Sequence, residues 1–393
     1  MSDPSTMAAD DAQQRRGAWR FVVAIGVVSL FADMTYEGAR SIVGPWLATF
    51  GASAFLVGVI GGGGEFLGYA IRWFAGRGAD RSGRHWVFIY VGYALNLIVV
   101  PCLALTASLG AAAGLVVSER LGKGIRTPPR DALLARAGEV VGHGAGFGLH
   151  EFLDQLGALV GPLIVAGLVF LAGYRAGFAV LAIPAVAALA MLVVAQRFQM
   201  RPQPASKSVR APLPRVFWQW LIFAALATAG FAHFILIAFH LATRGHMTPA
   251  LIPVLFAVAM ASEGLAGLLL GRLSDRAGTW LLAVFPIAGL VGAILLFLLP
   301  GVGRWLGAVV WGAGLGVQAV LLRAQIARTV GEGRRGEAFG LLDTAMGASW
   351  FVGSMILGAL YGLAPAALVI GAIVLEAAAL LWFAGMRWLP RIA

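Results

Sequence analysis

The sequence predicts an all-α polytopic membrane protein: twelve transmembrane helices in two pseudo-symmetric six-helix bundles. Three observations carry that expectation. Of 393 residues, 60% are hydrophobic and 12% charged, where a soluble domain carries roughly 25% charged residues. Apolar runs long enough to cross a bilayer, about 20 residues each, recur along the whole chain, and two stretches of the first half return in the second.

Gly, Pro and charge clusters mark the breaks between spans. They give approximate limits of 19–48, 54–76, 85–107, 110–132, 146–171, 175–196, 216–242, 250–272, 279–300, 304–328, 338–361 and 364–386. Residues 1–18 are polar and lack an apolar core with a small-residue cleavage site, so they read as a disordered cytoplasmic tail and not a signal peptide. Residues 19–196 make the first bundle and 216–387 the second, with 388–393 a cytoplasmic C-terminus. Between them, residues 197–215 lie in a polar connection of five basic residues and four prolines, expected to be a flexible cytoplasmic linker.

Basic residues alternate between sides. Arg15, Arg16 and Arg20, then Arg77, Arg81 and Arg84, then the linker, then Arg328, Arg334 and Arg335 share one side, against Arg175, Arg244 and Arg304 on the other. The positive-inside rule makes the first side, with both termini, cytoplasmic. The net charge of +11 is thus a topology signal and not a nucleic-acid footprint. One cysteine, Cys102, in an apolar run excludes disulfides and thiolate metal clusters.

The repeat is specific. GRGADRSGR (Gly76–Arg84) returns as GRLSDRAG (Gly271–Gly278), setting Asp80 against Asp275 and Arg81 against Arg276, 195 residues apart. FGLHEFLDQLGALVG (Phe147–Gly161) returns as FGLLDTAMGASWFVG (Phe339–Gly353), setting Glu151 against Asp343 and Gly161 against Gly353. Arg130 and Arg323 correspond to within one residue. Six spans per half keep both halves in one orientation, a parallel repeat expected to hold a substrate site near the midplane. Channels and membrane enzymes are duplicated too, so the repeat leaves function open.

Three motifs resemble the major facilitator superfamily, over essentially the whole chain. GRGADRSGRH fits the superfamily's loop signature between spans 2 and 3 through Gly76, Asp80, Arg81, Gly83 and Arg84, with His85 where a second Arg is usual. RLGKGIR partly fits the span 4 motif through Arg120 and Gly124, with Lys123 and Arg126 replacing the usual Gln and Gly. GALVGPLIVAG fits the span 5 motif through Gly157, Gly161, Pro162 and Gly167. The resemblance implies that Asp80 and its arginines latch the halves shut on the cytoplasmic side, and that the span 5 glycine face packs spans from opposite halves. It also implies export in exchange for protons, in a bacterial cytoplasmic (inner) membrane, by a monomer whose partners are protons, a small molecule and lipid. Any tight bundle wants small residues four apart, so the glycines are also explained by packing alone.

The charges of span 1 are the sharpest local signal. Asp33, Glu37 and Arg40 stand at i, i+4 and i+7 and share one helix face. Charge within a span faces the interior or water and usually pairs. Arg40 can reach Glu37, leaving Asp33 to find a partner or a proton. A coupling and substrate site and a structural ion triad both follow. Tyr36 lies off that face and is expected to pack. Glu65 and Arg72, seven apart in span 2, serve either a cavity or each other. Lys123, Arg126, Arg130 and Asp131 with Glu151 and Asp154 are expected to form a network that breaks as the cytoplasmic side opens, with Arg323 and Asp343 as its sparser copy. Pro128 and Pro129 suit a bend there.

His233 and His240, seven apart in span 7, open a divalent-metal export reading with Asp33, though intramembrane histidines more often bond to neighbours. LHEFLD lacks the second histidine of a zincin helix, and neither a nucleophile elbow nor a phosphate loop occurs. No enzyme, resident metal or cofactor is expected. A proton-coupled importer and a transport-inactive receptor or scaffold are the remaining alternatives.

Overall fold

The computed structural model describes residues 4–198, 212–244, 246–330 and 334–388. The expected linker falls largely outside the described residues, as do the side chains of Asp275 and Arg276. The described backbone is helical nearly throughout. The helices are α1 (Pro4–Thr49), α2 (Ala54–Ser82), α3 (His85–Cys102), α4 (Leu109–Val141), α5 (His143–Ala179), α6 (Ala182–Gln196), α7 (Arg215–Gly230), α8 (Phe234–Thr243), α9 (Leu251–Ala277), α10 (Val284–Phe297), α11 (Val302–Gly316), α12 (Arg323–Thr329), α13 (Arg335–Leu363) and α14 (Pro365–Trp388). Their ends follow from local chemistry. Ser53 and Ser108 accept from the Leu56 and Ala111 N–H groups at the starts of α2 and α4. Gly83, at φ 65°, stops α2 in the left-handed conformation glycine tolerates.

Among the described residues, ten helical stretches are long and apolar enough to cross a membrane. Two features separate that number from the twelve expected. The stretch Gly146–Gln196 runs 51 residues, about 76 Å if it were one helix, more than twice the hydrocarbon thickness. It is interrupted at Gly173, φ 80°, and again between α5 and α6. The other feature is α4, whose 33 residues are long enough but carry eight charges between Glu119 and Glu139.

The N-terminus differs from the expected disordered tail, because α1 begins at Pro4. The run STMAADDAQQRR holds no glycine or internal proline and is rich in helix formers, so it extends the first span. α4 likewise continues as helix through Pro128 and Pro129.

Packing repeats between the halves. Gly157 and Gly161 of α5 bring that helix onto α1, where an added Cβ would lie 2.3 Å from the Leu30 and Met34 carbonyl oxygens. Gly353 of α13 meets the Ala229 carbonyl of α7 in the same way, at 2.1 Å. This corrects the role expected for the span 5 face: Gly157 and Gly161 pack α5 and α1 of one half, and do not join opposite halves. The reason is register. Leu30 and Met34, also four apart, present their carbonyls to the two glycines.

Contacts across the halves run chiefly through α1 with α8, α2 with α13 and α5 with α9. At the end remote from the linker they are backbone to backbone. Cβ atoms at Gly44, Gly58 and Gly358 would lie 2.1, 2.2 and 2.6 Å from the carbonyls of Ile235, Ser354 and Ala54.

Candidate functional site

Between the halves, open on the linker side, lies a cavity of about 220 Å³. Its first-half wall comprises Asp33, Tyr36, Glu37 and Arg40 of α1, Glu65, Tyr69 and Arg72 of α2, Lys123 of α4, and Glu151, Asp154 and Gln155 of α5. The second half supplies Glu263 of α9, Gln318, Arg323 of α12, and Met346 and Trp350 of α13.

The centre is an ion cluster. Glu65 Oε1 accepts from Arg40 Nη2 at 2.9 Å and forms an ion pair with Arg120, whose Nη1 lies 3.3 Å away. Arg40 also reaches Glu37 at 3.3 Å, the pair expected from helix spacing. Arg120 turns its Nε to Glu119 at 3.1 Å, and Glu119 accepts from the Asn96 amide at 2.7 Å. Two guanidinium groups on one carboxylate satisfy the rule that intramembrane charge is paired. Asp33 is different: it is 6% exposed and has no ion-pair partner among the described residues.

His233 belongs to this cluster through a helix break. The chain unwinds between Gly230 and Phe234, so the expected continuous span 7 is two helices, and helical spacing no longer aligns His233 with His240. Two indoles cap the freed carbonyls: Trp350 donates to Phe231 at 3.0 Å and Trp311 to Ala232 at 2.9 Å. His233 Nδ1 accepts from the Ile235 N–H at 3.2 Å, and its Nε2 lies 3.2 Å from Arg40 Nη2 and 3.6 Å from Glu65. His240 bonds instead to the Tyr361 hydroxyl at 2.9 Å. Among the described residues no three His, Cys, Asp or Glu side chains form a metal-holding group, and the Asp33–His233 pairing of the metal reading is not formed.

Several other expectations change. Glu65 and Arg72 do not pair. Arg72 crosses to the second half and meets Asp343 at 3.0 Å, where Arg323 also binds at 2.7 Å. Tyr36 packs into the apolar core, 4% exposed, and also borders the cavity, with the Lys123 ammonium 4.0 Å above its ring. The α4–α5 network takes another form: Arg130 pairs with Asp131 at 2.8 Å and donates to Ser29, while buried His150 links Ser29 to Asp154. Arg126, 1% exposed, stacks on Tyr93. Arg126 makes no direct bond to Glu151 or Asp154 because the aromatic face lies nearer. Glu151 takes the Gln155 amide at 3.2 Å.

At the linker end, Asp80 meets His85 at 3.1 Å and is 61% exposed. The residue that departs from the loop signature therefore holds its carboxylate within one half. Gly76 lets α2 lie against Pro128, and Gly83 makes the turn. Sequence reasoning missed Glu263, Gln318, Tyr69 and Trp350. Only Glu263 had a signal, as a lone acid in the apolar run VLFAVAMASEGLAGLLL. Gln318 reaches the cavity from a π-helical segment, Val317–Leu322, a distortion often found at functional sites.

The comparisons agree with this architecture. The family model of the Major Facilitator Superfamily matches residues 25–354. A Mycobacterium tuberculosis H37Rv protein, "Uncharacterized protein Rv2265", is 40% identical over 388 residues, 96% of this chain and 95% of its own. "Uncharacterized MFS-type transporter MJ1317" of Methanocaldococcus jannaschii is 24% identical over 360 residues, 88% and 89% of the two chains. Among solved structures, the nucleoside transporter NupG superposes with TM-score 0.77 at 12% identity, covering 92% of this chain and 100% of NupG. A bacterial homolog of the human lysosomal transporter Spinster, inward-facing and occupied, gives TM-score 0.74 at 17% identity, with coverages of 93% and 96%. The match spans most of the chain, and the chain belongs to the major facilitator superfamily, a family of membrane transporters.

Proposed function

We propose that the chain is a secondary active transporter of twelve spans that exports a small molecule across the bacterial inner membrane in exchange for protons. The observation that carries this reading is Asp33. It is buried at the wall of an inter-half cavity, unpaired, while every carboxylate deeper in the cluster is neutralised by arginine. A carboxylate with no fixed cation is the group free to alternate between a proton and a substrate.

The two ends of the cavity fit alternating access. If the linker is cytoplasmic, the outer end is sealed by backbone contacts and the inner end is open, as in the inward-facing structure of the Spinster homolog. Arg72, Asp343 and Arg323 remain as one inter-half bridge on the inner side. Rocking would break the glycine seal outside and bring Asp80, now held by His85, toward the second half.

The test is a proteoliposome loaded with a pH-sensitive dye under an imposed pH gradient. A substrate should dissipate the gradient in the wild type, and Asp33→Asn should abolish that response. A D33N protein that still accumulates substrate against its gradient removes Asp33 from the coupling role.

A further inference from the structure

We infer that the cavity binds a small hydrophilic organic cation, with its charged nitrogen held by the carboxylates that line the cavity without an arginine or lysine partner: Asp33, Glu151 and Asp154 of the first half and Glu263 of the second. The inference rests on the transport reading and names the substrate class for the same cavity.

Charge bookkeeping is the first support. Ten of the twenty cavity-lining residues are charged, six acidic and four basic. Two of those cations, Arg72 and Arg323, are committed to Asp343, and a third, Arg40, to Glu65 and Glu37. Lys123 alone remains, 4.0 Å from Glu37 and seated on Tyr36. Asp33, Glu151, Asp154 and Glu263 have no Lys or Arg within 4.0 Å among the described residues. Arg126 also faces Asp33 but is held on Tyr93 behind Tyr36.

The second support is unpartnered acceptor atoms inside the site. Glu37 is 6% exposed and its Oε2 has no hydrogen-bond partner; Asp154 Oδ1 and Gln155 Oε1 are likewise unpaired. Buried acceptors of this kind are satisfied in native proteins by a donor. An ammonium or guanidinium supplies several donors and a positive charge together.

Geometry supplies the third. Glu263 lines the same cavity as Glu37 and Glu151, and Arg40 and Lys123 are the cations that act on it there. α5 and α9 already touch where Gly264 meets Gln155. Closing the inner side brings these helices closer and sets Glu263 against Glu151 and Asp154. Like charges at such distances oppose closure, and a bridging cation removes the opposition. Protons on the same carboxylates do so on the return, which makes the two ligands alternatives at one set of groups. Size and polarity favour a small hydrophilic cation over a bulky lipophilic one: 220 Å³ is below the 300–1,000 Å³ common for drug-sized ligands, and half the lining is charged.

The test is direct binding to the purified full-length protein in detergent, by calorimetry and thermal shift, with no gradient present. The probes are spermidine, agmatine and choline, against tetraphenylphosphonium, citrate and gluconate. At least one hydrophilic cation should bind. Glu263→Gln should weaken it by about tenfold or more, the loss of one charge-assisted contact. Glu263→Asp should restore part of the affinity, separating charge from folding, and Glu139→Gln, on the exposed side of α4, should leave it unchanged. Four results overturn the inference: no hydrophilic cation binds, only tetraphenylphosphonium binds, an anion binds in a manner dependent on Lys123, or E263Q binds as the wild type does. Because no proton gradient is used, failure here leaves proton coupling standing, and failed coupling in vesicles leaves cation binding standing.

Discussion

The two halves of the molecule share a scaffold and divide the chemistry. Gly161 on α5 meets the Met34 carbonyl of α1, and Gly353 on α13 meets the Ala229 carbonyl of α7. That equivalence sets Asp33, Glu37 and Arg40 against Thr228, Ala232 and Ile235. The first half therefore carries the ion cluster on its α1 wall. Its counterpart carries a helix break whose carbonyls are capped by indoles. Backbone packing tolerates no departure in either copy, because a Cβ has nowhere to go, whereas cavity-facing side chains were free to diverge. Among the described residues, the second half answers the charged wall with Glu263, Arg323 and Asp343.

The largest expected effect breaks this asymmetry at its centre. Asp33→Asn removes the carboxylate of the α1 wall that has no ion-pair partner and should abolish substrate-driven proton flux in vesicles, while Thr228→Val at the equivalent site should leave most of it. Equal losses from the two variants would mean that the division of labour is wrong.

The shared scaffold gives the next effect. Gly161→Ala and Gly353→Ala each force a methyl into a carbonyl contact, and each should cost about 1–3 kcal/mol or more from overpacking. Thermal unfolding in detergent should show similar shifts for the two. A large shift at Gly161 with none at Gly353 would sever the structural equivalence even if function stays asymmetric.

The scaffold was more legible in the sequence than the site. Apolar run length and basic-residue alternation located the spans, since bilayer thickness and charge cost act on each span alone. The glycine spacing showed that helices approach closely but not which ones, because the partner is set by carbonyl register on another helix. At the site, Arg40–Glu37 was readable as a local i, i+3 contact. Arg72–Asp343 was not, since its residues are 271 positions apart. Tyr36 packs as its position off the charged face suggests, but its place on the cavity wall was not legible, because an aromatic ring one step off a polar face still borders a cavity when a lysine reaches over it. His233 lost its helical phase at a break that only the Gly230 glycine hinted at.

The inter-half bridge sharpens the comparison between inner and outer ends. Asp343→Asn leaves Arg72 and Arg323 without their shared carboxylate, and should shift the protein away from the state described here. The outer end, held by backbone contacts at Gly44 and Gly58, has no such charge lever among the described residues. Cysteine accessibility at the outer positions should rise in D343N. An unchanged pattern would show that the glycine contacts alone set the resting state. The expected size is modest, about 1–2 kcal/mol, because both arginine contacts are partly solvated.

The smallest effect lies at Asp80. Its contact with His85 is within one half and mostly exposed, and such surface pairs contribute about 0–1 kcal/mol. His85→Ala should therefore leave thermal stability almost unchanged. Asp80→Asn should also preserve ligand binding to the inward-open protein, since the carboxylate touches nothing in the cavity. Turnover is where the two should part. If Asp80 must leave His85 to meet the second half during closure, removing His85 frees it and turnover rises or holds, whereas removing the carboxylate slows it. Should both variants slow transport equally, the pair acts as a unit in the inward-open state, and the latch belongs to the loop's turn at Gly83 and not to its charge.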